Sequence, residues 1–251
     1  MKLVWTYNNL DTLYSIENNR MTIDKKMILI SYYYESIKQA KNLGYYTIIY
    51  CDQASVKYFD GLIDEIVVRE GYNNSKLWDC LKIKVLEERN DDFCLIDGDL
   101  ILNQRLPDYN ADVLFERYET INWSWGYEPT IKFLTDKNVL SIIPEWKSER
   151  IPVMNVGLLS FRNDDLKKKY VESWNKLNLL INDNIDKIEI HHGTMVTTQY
   201  LLTLLSKNYK IHYNENANNE LYNHYAGKIK FEKPIYSYKH MLEKEIKRNI
   251  I

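Results

Sequence analysis

Two carboxylates, Asp97 and Asp99, stand between two short apolar runs, Phe93–Ile96 and Leu100–Leu102. A short apolar run bounded by turn residues is typical of a buried strand. Side chains alternate along an extended chain, so both carboxylates can project to one side, with Gly98 letting the backbone bend between them. Carboxylate oxygens bind Mg²⁺ and Mn²⁺, which also bind phosphates, so the segment predicts a divalent-metal site. The alternative is a solvated turn, because Asp and Gly are common turn formers.

A second polar motif interrupts the apolar run Val153–Phe161, which we predict to be a buried strand. Asn155 and Gly157 lie inside it. A buried asparagine needs a hydrogen-bond partner, and a glycine in a strand lets a ligand approach the backbone closely. The motif therefore indicates either a satisfied core asparagine or a ligand-facing strand.

The third motif places His224, Gly227 and Lys230 at intervals of three residues. Histidine can give a nitrogen to a divalent metal, and lysine can meet a phosphate as a point charge. Glycine allows the backbone to approach a diphosphate. An ordinary surface loop is the alternative for this motif taken alone.

The elements that must position these residues alternate between strands and helices in the first half of the chain. We predict strands at residues 3–7, 45–51, 65–68 and 93–96. We predict helices at 27–42, at 75–89 with Ser75 as its cap, and a short one through Phe59 capped by Asp52 or Ser55. This alternation predicts an α/β fold, with a mostly parallel sheet flanked by helices, which binds ligands at the carboxyl ends of its strands.

The second half is less regular. We predict strands at residues 112–118 and 153–161, and helices from Asp164 or Asp165 to 180, at 194–207 and at 238–248. The connection 119–151 carries four large aromatic residues, which either face a sugar acceptor or pack beneath the connection: Trp123, Trp125, Tyr127 and Trp146.

The composition sets the frame for the function. A chain of 251 residues, 45% of them hydrophobic, can form a single α/β domain. The net charge of −2 gives no attraction to nucleic acid. Three cysteines without a close pair indicate reduced thiols and a cytoplasmic protein. The amino terminus does not have the pattern of a signal peptide, and no apolar run reaches the length of a membrane span, so we expect a soluble protein.

Together, the three motifs resemble the signatures of GT-A-fold glycosyltransferases, a Rossmann-like fold. The closest resemblance is to the glycogenin and lipopolysaccharide galactosyltransferase group, family 8, from the first strand to about Lys230. The resemblance implies one domain over residues 1–251, with 1–110 binding the nucleotide and 111–251 the donor sugar and acceptor. It also implies Mn²⁺- or Mg²⁺-dependent transfer from a UDP-sugar to a glycan, protein or lipid acceptor, with retention of configuration.

The resemblance assigns roles by position. Asp97, Asp99 and His224 would bind the metal, and Gly98 belongs to the same motif. The other residues would contact the donor: Thr6 and Tyr7 the uridine, Asn155 and Gly157 the sugar, Gly227 and Lys230 the diphosphate, and Lys82 the donor from a preceding helix. The chain departs from the family pattern at Thr198-Gln199, where an acidic residue is expected before the glutamine, and at Phe231-Glu232, where Pro-Trp is common.

Two other classes of function stay open. A sugar-phosphate nucleotidyltransferase usually carries a Gly-rich basic loop after its first strand, and residues 6–11 have neither glycine nor a basic residue. A non-catalytic carbohydrate-binding relative would have no need of clustered metal ligands.

An inverting transferase would also need a general base, for which three residues qualify by type alone: Glu189, His191 and His192.

Overall fold

The structure is a computed structural model that describes residues 1–7, 23–70, 77, 79–119, 127–213 and 220–225. Its strands are β1 (Lys2–Tyr7), β2 (Thr47–Cys51), β3 (Glu65–Val68), β4 (Phe93–Ile96), β5 (Leu100–Leu102), β6 (Val113–Glu119), β7 (Val153–Phe161), β8 (Ile211–His212) and β9 (Tyr222–His224). Its α-helices are α1 (Ile23–Asn42), α2 (Val56–Phe59), α3 (Cys80–Glu88), α4 (Glu128–Asp136), α5 (Asp164–Asn182), α6 (Ile190–Met195) and α7 (Leu201–Leu205). A π-helical stretch, Val196–Tyr200, lies between α6 and α7.

The chain divides into two compact units, of which the first holds β1–β5, β9, α1 and α2. Its parallel strands follow the order β3-β2-β1-β4. β2 and β4 consist of buried β-branched, aromatic and other apolar residues, as expected for strands covered on both faces. The register aligns Val4 with Leu95. β1 and β4 therefore end at the same edge, which brings Thr6 and Asp97 to one end of the sheet.

The second unit holds β6–β8 and α3–α7, with strand order β7-β6-β8. β6 runs antiparallel to β7 and parallel to β8, and a register shift separates Phe115 from Arg117. Asn163 caps α5 through its side-chain oxygen, which accepts the Leu166 N–H at 2.9 Å. One face of α5 is buried at helical spacing and packs into the core of this unit: Leu166, Tyr170, Trp174, Leu177 and Ile181.

The predicted fold class is confirmed, since the chain is α/β with a mostly parallel sheet flanked by helices. Several predicted bounds were wrong. α3 begins at Cys80, with Asp79 rather than Ser75 in the N-cap position. The helix expected at 194–207 starts at Ile190 and includes the π-helical stretch. β5, β8 and β9 were not expected as separate strands, since each has only two or three residues.

The connection 119–151 is partly structured, because it contains α4 and a 3₁₀ turn at Val139–Ser141. Tyr127 and Trp146 are 0% and 2% exposed, so both pack in the core rather than facing an acceptor. Trp123 and Trp125 lie outside the described residues, as does the helix expected at 238–248. Among the described residues, no helix is long and apolar enough to span a membrane.

Candidate metal and nucleotide site

The turn Asp97–Leu100 joins β4 to β5 and is closed by an i to i+3 backbone hydrogen bond of 3.1 Å. β9 pairs antiparallel with β5 and sets His224 opposite the last residue of this turn. The Tyr225 N–H then donates to the Asp99 carbonyl at 3.0 Å. Backbone hydrogen bonds alone therefore bring His224 to the two carboxylates, although more than a hundred residues separate them in the sequence.

The side chains of Asp97, Asp99 and His224 converge. One potential ligand atom from each lies within 4.8 Å of the other two, and this is the one such group of three among the described residues. His224 Nε2 is 3.4 Å from Asp99 Oδ1, and the two side chains are 4% and 11% exposed. Two carboxylate oxygens and one imidazole nitrogen suit Mn²⁺, and nearby negative charges at a sheet edge favour a cation. The residues present therefore fit a divalent metal.

Tyr33 of α1 packs against the turn at Gly98. Its ring lies so close to Gly98 that a Cβ at that position would overlap it. Glycine is thus required here for space, and not for a positive φ, which the backbone does not adopt. The Tyr33 hydroxyl donates to the Thr6 carbonyl at 2.7 Å. Burial, and then the charges of Asp97 and Asp99, hold the Tyr33 pKa well above its usual value, so the hydroxyl stays a neutral donor.

Ser36, one turn further along α1, fixes the start of β5. Its hydroxyl accepts the Trp5 indole N–H at 3.0 Å and donates to the Leu100 carbonyl at 2.6 Å. Tyr32 on the same helix packs against Tyr225, with a distance of 5.1 Å between the two ring centroids. Burial, with smaller effects of Tyr225 and Asp99, raises the pKa of Tyr32 to about 12. Sequence reasoning missed these α1 residues. The signal that could have found them was the run of aromatic and polar residues on a helix predicted to flank the sheet.

Thr6 and Tyr7, predicted to contact uridine, end β1 at the edge of the sheet that carries Asp97. The Tyr7 side chain is 1% exposed and packs edge-on against Tyr33 and Phe59, with centroid distances of 5.2 Å to each. Any ligand at this edge would meet the Thr6 backbone and side chain before the Tyr7 ring.

The residues predicted to line the donor sugar lie in the second unit, on β7. The Asn155 side chain is buried and has partners on both sides. Its oxygen accepts the Gly157 N–H at 2.7 Å, and its amide donates to a carboxylate oxygen of Glu119, at the end of β6. Sequence reasoning missed Glu119. The asparagine that interrupts an apolar strand is explained by these two hydrogen bonds within the protein.

Lys82, predicted to reach the donor, extends from α3 toward the same strand. Its Nζ donates to the Val156 carbonyl at 3.3 Å, between Asn155 and Gly157. Gly227 and Lys230 lie outside the described residues, so their predicted contacts with the diphosphate stay predictions.

The three general-base candidates surround the start of α6. His192 is buried, with its Nδ1 3.1 Å from Glu189 Oε2. His191 beside it is half-buried, and burial, followed by the neighbouring His192, lowers its pKa.

Gln199, on the π-helical stretch, accepts a hydrogen bond of 2.5 Å from the buried Tyr127 hydroxyl. Its amide is thereby oriented by the core of the second unit.

The solved structures that are similar to this chain include glycosyltransferases and a putative thymidylyltransferase. The apo form of the glycosyltransferase GlyE of Streptococcus pneumoniae TIGR4 matches with a TM-score of 0.49 and 12% identity, over 99% of this chain and 63% of that one. An active-site mutant of LgtC matches with a TM-score of 0.49 and 12% identity, over 97% of this chain and 94% of that one. A putative glucose-1-phosphate thymidylyltransferase from Bacillus anthracis matches with a TM-score of 0.45 and 12% identity, over 92% of each chain.

This chain thus spans less than two thirds of the length of the GlyE structure. No family model and no curated protein matches the sequence. At these identities the likeness concerns the fold. These matches are similarities alone, and the resemblance to GT-A-fold glycosyltransferases stated above rests on the three sequence motifs.

Proposed function

We propose that the protein is a divalent-metal-dependent glycosyltransferase that moves a sugar from a UDP-sugar to a hydroxyl acceptor with retention of configuration. The observation that carries the proposal is the convergence of Asp97, Asp99 and His224 at the carboxyl end of a parallel sheet. Ligands of α/β proteins bind at such ends. All three motifs of the sequence resemblance contribute to the assignment, and in this cluster His224 of the third motif lies beside the two carboxylates of the first.

In this proposal the chain's own residues bind and orient the donor. Asp97 and Asp99 offer negative charge for Mn²⁺ or Mg²⁺, and His224 offers a neutral imidazole nitrogen. When bound there, the metal supplies Lewis-acid stabilisation of the charge that develops on the leaving diphosphate. Lys230 adds a second positive charge to that diphosphate, and Gly227 leaves room for it beside the backbone.

The remaining assignments concern the two ends of the donor. Thr6 and Tyr7 contact the uridine from the end of β1, where Tyr33 holds the Thr6 carbonyl. Asn155 and Gly157 line the donor sugar on β7, where the Asn155 side chain is held by Glu119 and by the Gly157 N–H. Lys82 approaches the donor from its position at the Val156 carbonyl. A glycan, protein or lipid supplies the accepting hydroxyl.

The proposal includes a cytoplasmic location. Cys51, Cys80 and Cys94 are all buried and none of the three forms a disulfide, which agrees with a reducing compartment. Burial, and then the negative charges of Asp52 and Glu70, raises the pKa of Cys51 to about 12, so this thiol is protonated and unreactive at neutral pH.

A donor panel tests the function. The purified protein is incubated with UDP- and GDP-sugars and Mn²⁺, and release of free nucleotide is measured with and without EDTA. We expect slow hydrolysis of one UDP-sugar that stops when EDTA removes the metal. Pyrophosphate release from a nucleoside triphosphate and a sugar 1-phosphate would instead identify a nucleotidyltransferase. Failure to bind or turn over any nucleotide would leave a carbohydrate-binding protein as the better description.

A further inference from the structure

The order of the parallel strands in the first unit reverses between β1 and β4. Successive strands are added on one side of β1 and then on the other, in the order β3-β2-β1-β4. Open α/β sheets bind ligands in the crevice at such a point. The paired residues of β1 and β4 end with Val4 and Leu95, whereas Thr6 and Asp97 lie two residues further along. At the level of the site, strand pairing between β1 and β4 therefore does not set the separation of the two segments.

Tyr33 of α1 contacts both sides of this crevice. Its hydroxyl donates to the Thr6 carbonyl at 2.7 Å. Its ring lies against Gly98, in the space that a Cβ at that position would fill. The ring also packs against Tyr7 and Phe59, with centroid distances of 5.2 and 5.9 Å. One side chain thus bridges the end of β1 and the turn that carries the metal-binding carboxylates.

Ser36 forms a similar bridge one turn further along α1, within the core. Its hydroxyl accepts the Trp5 indole N–H and donates to the Leu100 carbonyl, and the residue is 1% exposed. This buried bridge already ties α1 to β1 and β5. Tyr33 is partly exposed and lies at the level of Thr6 and the turn. Its bridge is therefore placed at the edge of the sheet where a ligand binds.

We propose that Tyr33 is a positioning residue that forms the floor of the nucleotide crevice and fixes the separation between the Thr6 end of β1 and the metal-binding turn. The inference rests on the proposed function for its ligand, a uridine diphosphate held through a divalent metal. Uridine and diphosphate are parts of one molecule, so UDP gains from both contacts only when their separation matches its length. Tyr33 acts through the Thr6 carbonyl and Gly98 and does not contact the reacting atoms.

The first test compares the binding of Mn²⁺ alone with the binding of UDP. The Mn²⁺ dissociation constant is obtained from the electron paramagnetic resonance signal of free Mn²⁺, and the UDP constant from calorimetry at saturating Mn²⁺. Tyr33→Phe keeps the ring against Gly98 and releases the Thr6 carbonyl. We expect it to leave the Mn²⁺ constant unchanged and to raise the UDP constant roughly three- to tenfold, as for the loss of a neutral hydrogen bond.

The control is Tyr34→Phe, which removes the next hydroxyl on α1 from a side chain that points in a different direction. It should leave both dissociation constants unchanged. A UDP constant that is unchanged in Tyr33→Phe would overturn the proposal. So would an equal weakening of Mn²⁺ and UDP binding, because a general loosening of the fold affects both ligands alike.

The bridge itself is tested without a ligand. Thr6-Tyr7 is the one Thr-Tyr pair in the sequence. Protein labelled with ¹³C at threonine carbonyls and ¹⁵N at tyrosines therefore gives a single nuclear magnetic resonance peak that joins the Thr6 carbonyl to the Tyr7 amide. A carbonyl that accepts a hydrogen bond resonates downfield, so we expect an upfield ¹³C shift in Tyr33→Phe and none in Tyr34→Phe.

The two measurements separate the bridge from the proposed function. An unshifted peak in Tyr33→Phe would overturn the bridge, whatever the UDP titration gives. A shifted peak supports the bridge even if the natural sequence fails to bind UDP, and that failure would count against the proposed function and against the role of Tyr33 in donor binding.

Discussion

Replacement of Asp79 by asparagine should make the folded protein more stable at neutral and alkaline pH. The side chain is buried, and burial is the main reason that its pKa rises from the ordinary 3.8 to about 7. Asparagine has nearly the same volume and cannot ionise. The substitution therefore removes the cost of a buried negative charge while it leaves the packing among α3, α5 and the π-helical stretch in place.

The size of the effect follows from the pKa. A shift of about three units corresponds to roughly 4 kcal/mol, since each unit is worth about 1.4 kcal/mol. A buried amide without good partners gives back about 1–3 kcal/mol of this. The net gain at pH 8 is thus on the order of 1–3 kcal/mol, or roughly 2–12 °C in the unfolding midpoint for a chain of this length.

The pH dependence has a definite sign. Because the pKa of Asp79 is higher in the folded chain than in the unfolded one, the folded chain binds more protons between about pH 4 and pH 7. Stability that depends on Asp79 is therefore lost as pH rises through this window. The asparagine variant lacks this loss, so its advantage over the natural sequence is small at pH 4.5 and full at pH 8.

Urea unfolding followed by circular dichroism at pH 4.5, 6 and 8 measures the effect, with Asp165→Asn as the exposed control. The variant should exceed the natural sequence at pH 8 and approach it at pH 4.5. A variant that is less stable at pH 8, or that differs by the same amount at every pH, would show that the buried charge of Asp79 does not lower stability. Asp79 would then be a structural residue whose carboxylate is stabilised by its neighbours.

Three further predictions concern the candidate metal and nucleotide site. Gly98→Ala should lower the free energy of urea unfolding by about 1–3 kcal/mol, because the new Cβ overlaps the Tyr33 ring. If Gly98→Ala causes the same loss when it is added to a Tyr33→Leu variant, the overlap with Tyr33 is not the cause. Lys230→Ala should slow donor hydrolysis about a hundredfold while its Mn²⁺ dependence persists, since one contact to the leaving diphosphate is lost. His224→Ala should weaken the apparent Mn²⁺ affinity in the same assay, with activity partly recovered by excess Mn²⁺; unchanged hydrolysis in both of these variants would make the histidine motif ordinary surface.

The sequence was most informative where local pattern and tertiary role agree. The apolar strand before Asp97 and the alternating elements around it predicted the parallel sheet and the edge at which the carboxylates lie. The pairing of β9 with β5 could not be predicted, because strands of three residues carry almost no periodicity and their register depends on distant backbone partners. The family resemblance nevertheless assigns His224 to the same metal as Asp97 and Asp99.

The side chains that position the site were harder to find. Tyr33 and Ser36 look like ordinary helix residues in the sequence, and only the packing of α1 on β1 gives them partners at Thr6 and Leu100. Asp79 resembles any polar residue before a helix, and the sequence pattern favours Ser75 as the cap. Burial and electrostatic environment depend on the whole fold, so the sequence pattern alone could not distinguish Asp79 from a capping aspartate.

The proposed function depends most directly on whether UDP binds through a metal held by the Asp97, Asp99 and His224 cluster. Thermal unfolding is followed with UDP plus Mn²⁺ and with UDP plus EDTA, for the natural sequence, for Asp99→Asn and for the exposed control Asp60→Asn. A ligand that binds only the folded state at a hundred times its dissociation constant stabilises it by about 2.7 kcal/mol. UDP should raise the midpoint only with Mn²⁺, in the natural sequence and in Asp60→Asn, and Asp99→Asn should lose the shift. Equal shifts with Mn²⁺ and EDTA, or a full shift in Asp99→Asn, would rule out a metal-dependent UDP site at this cluster.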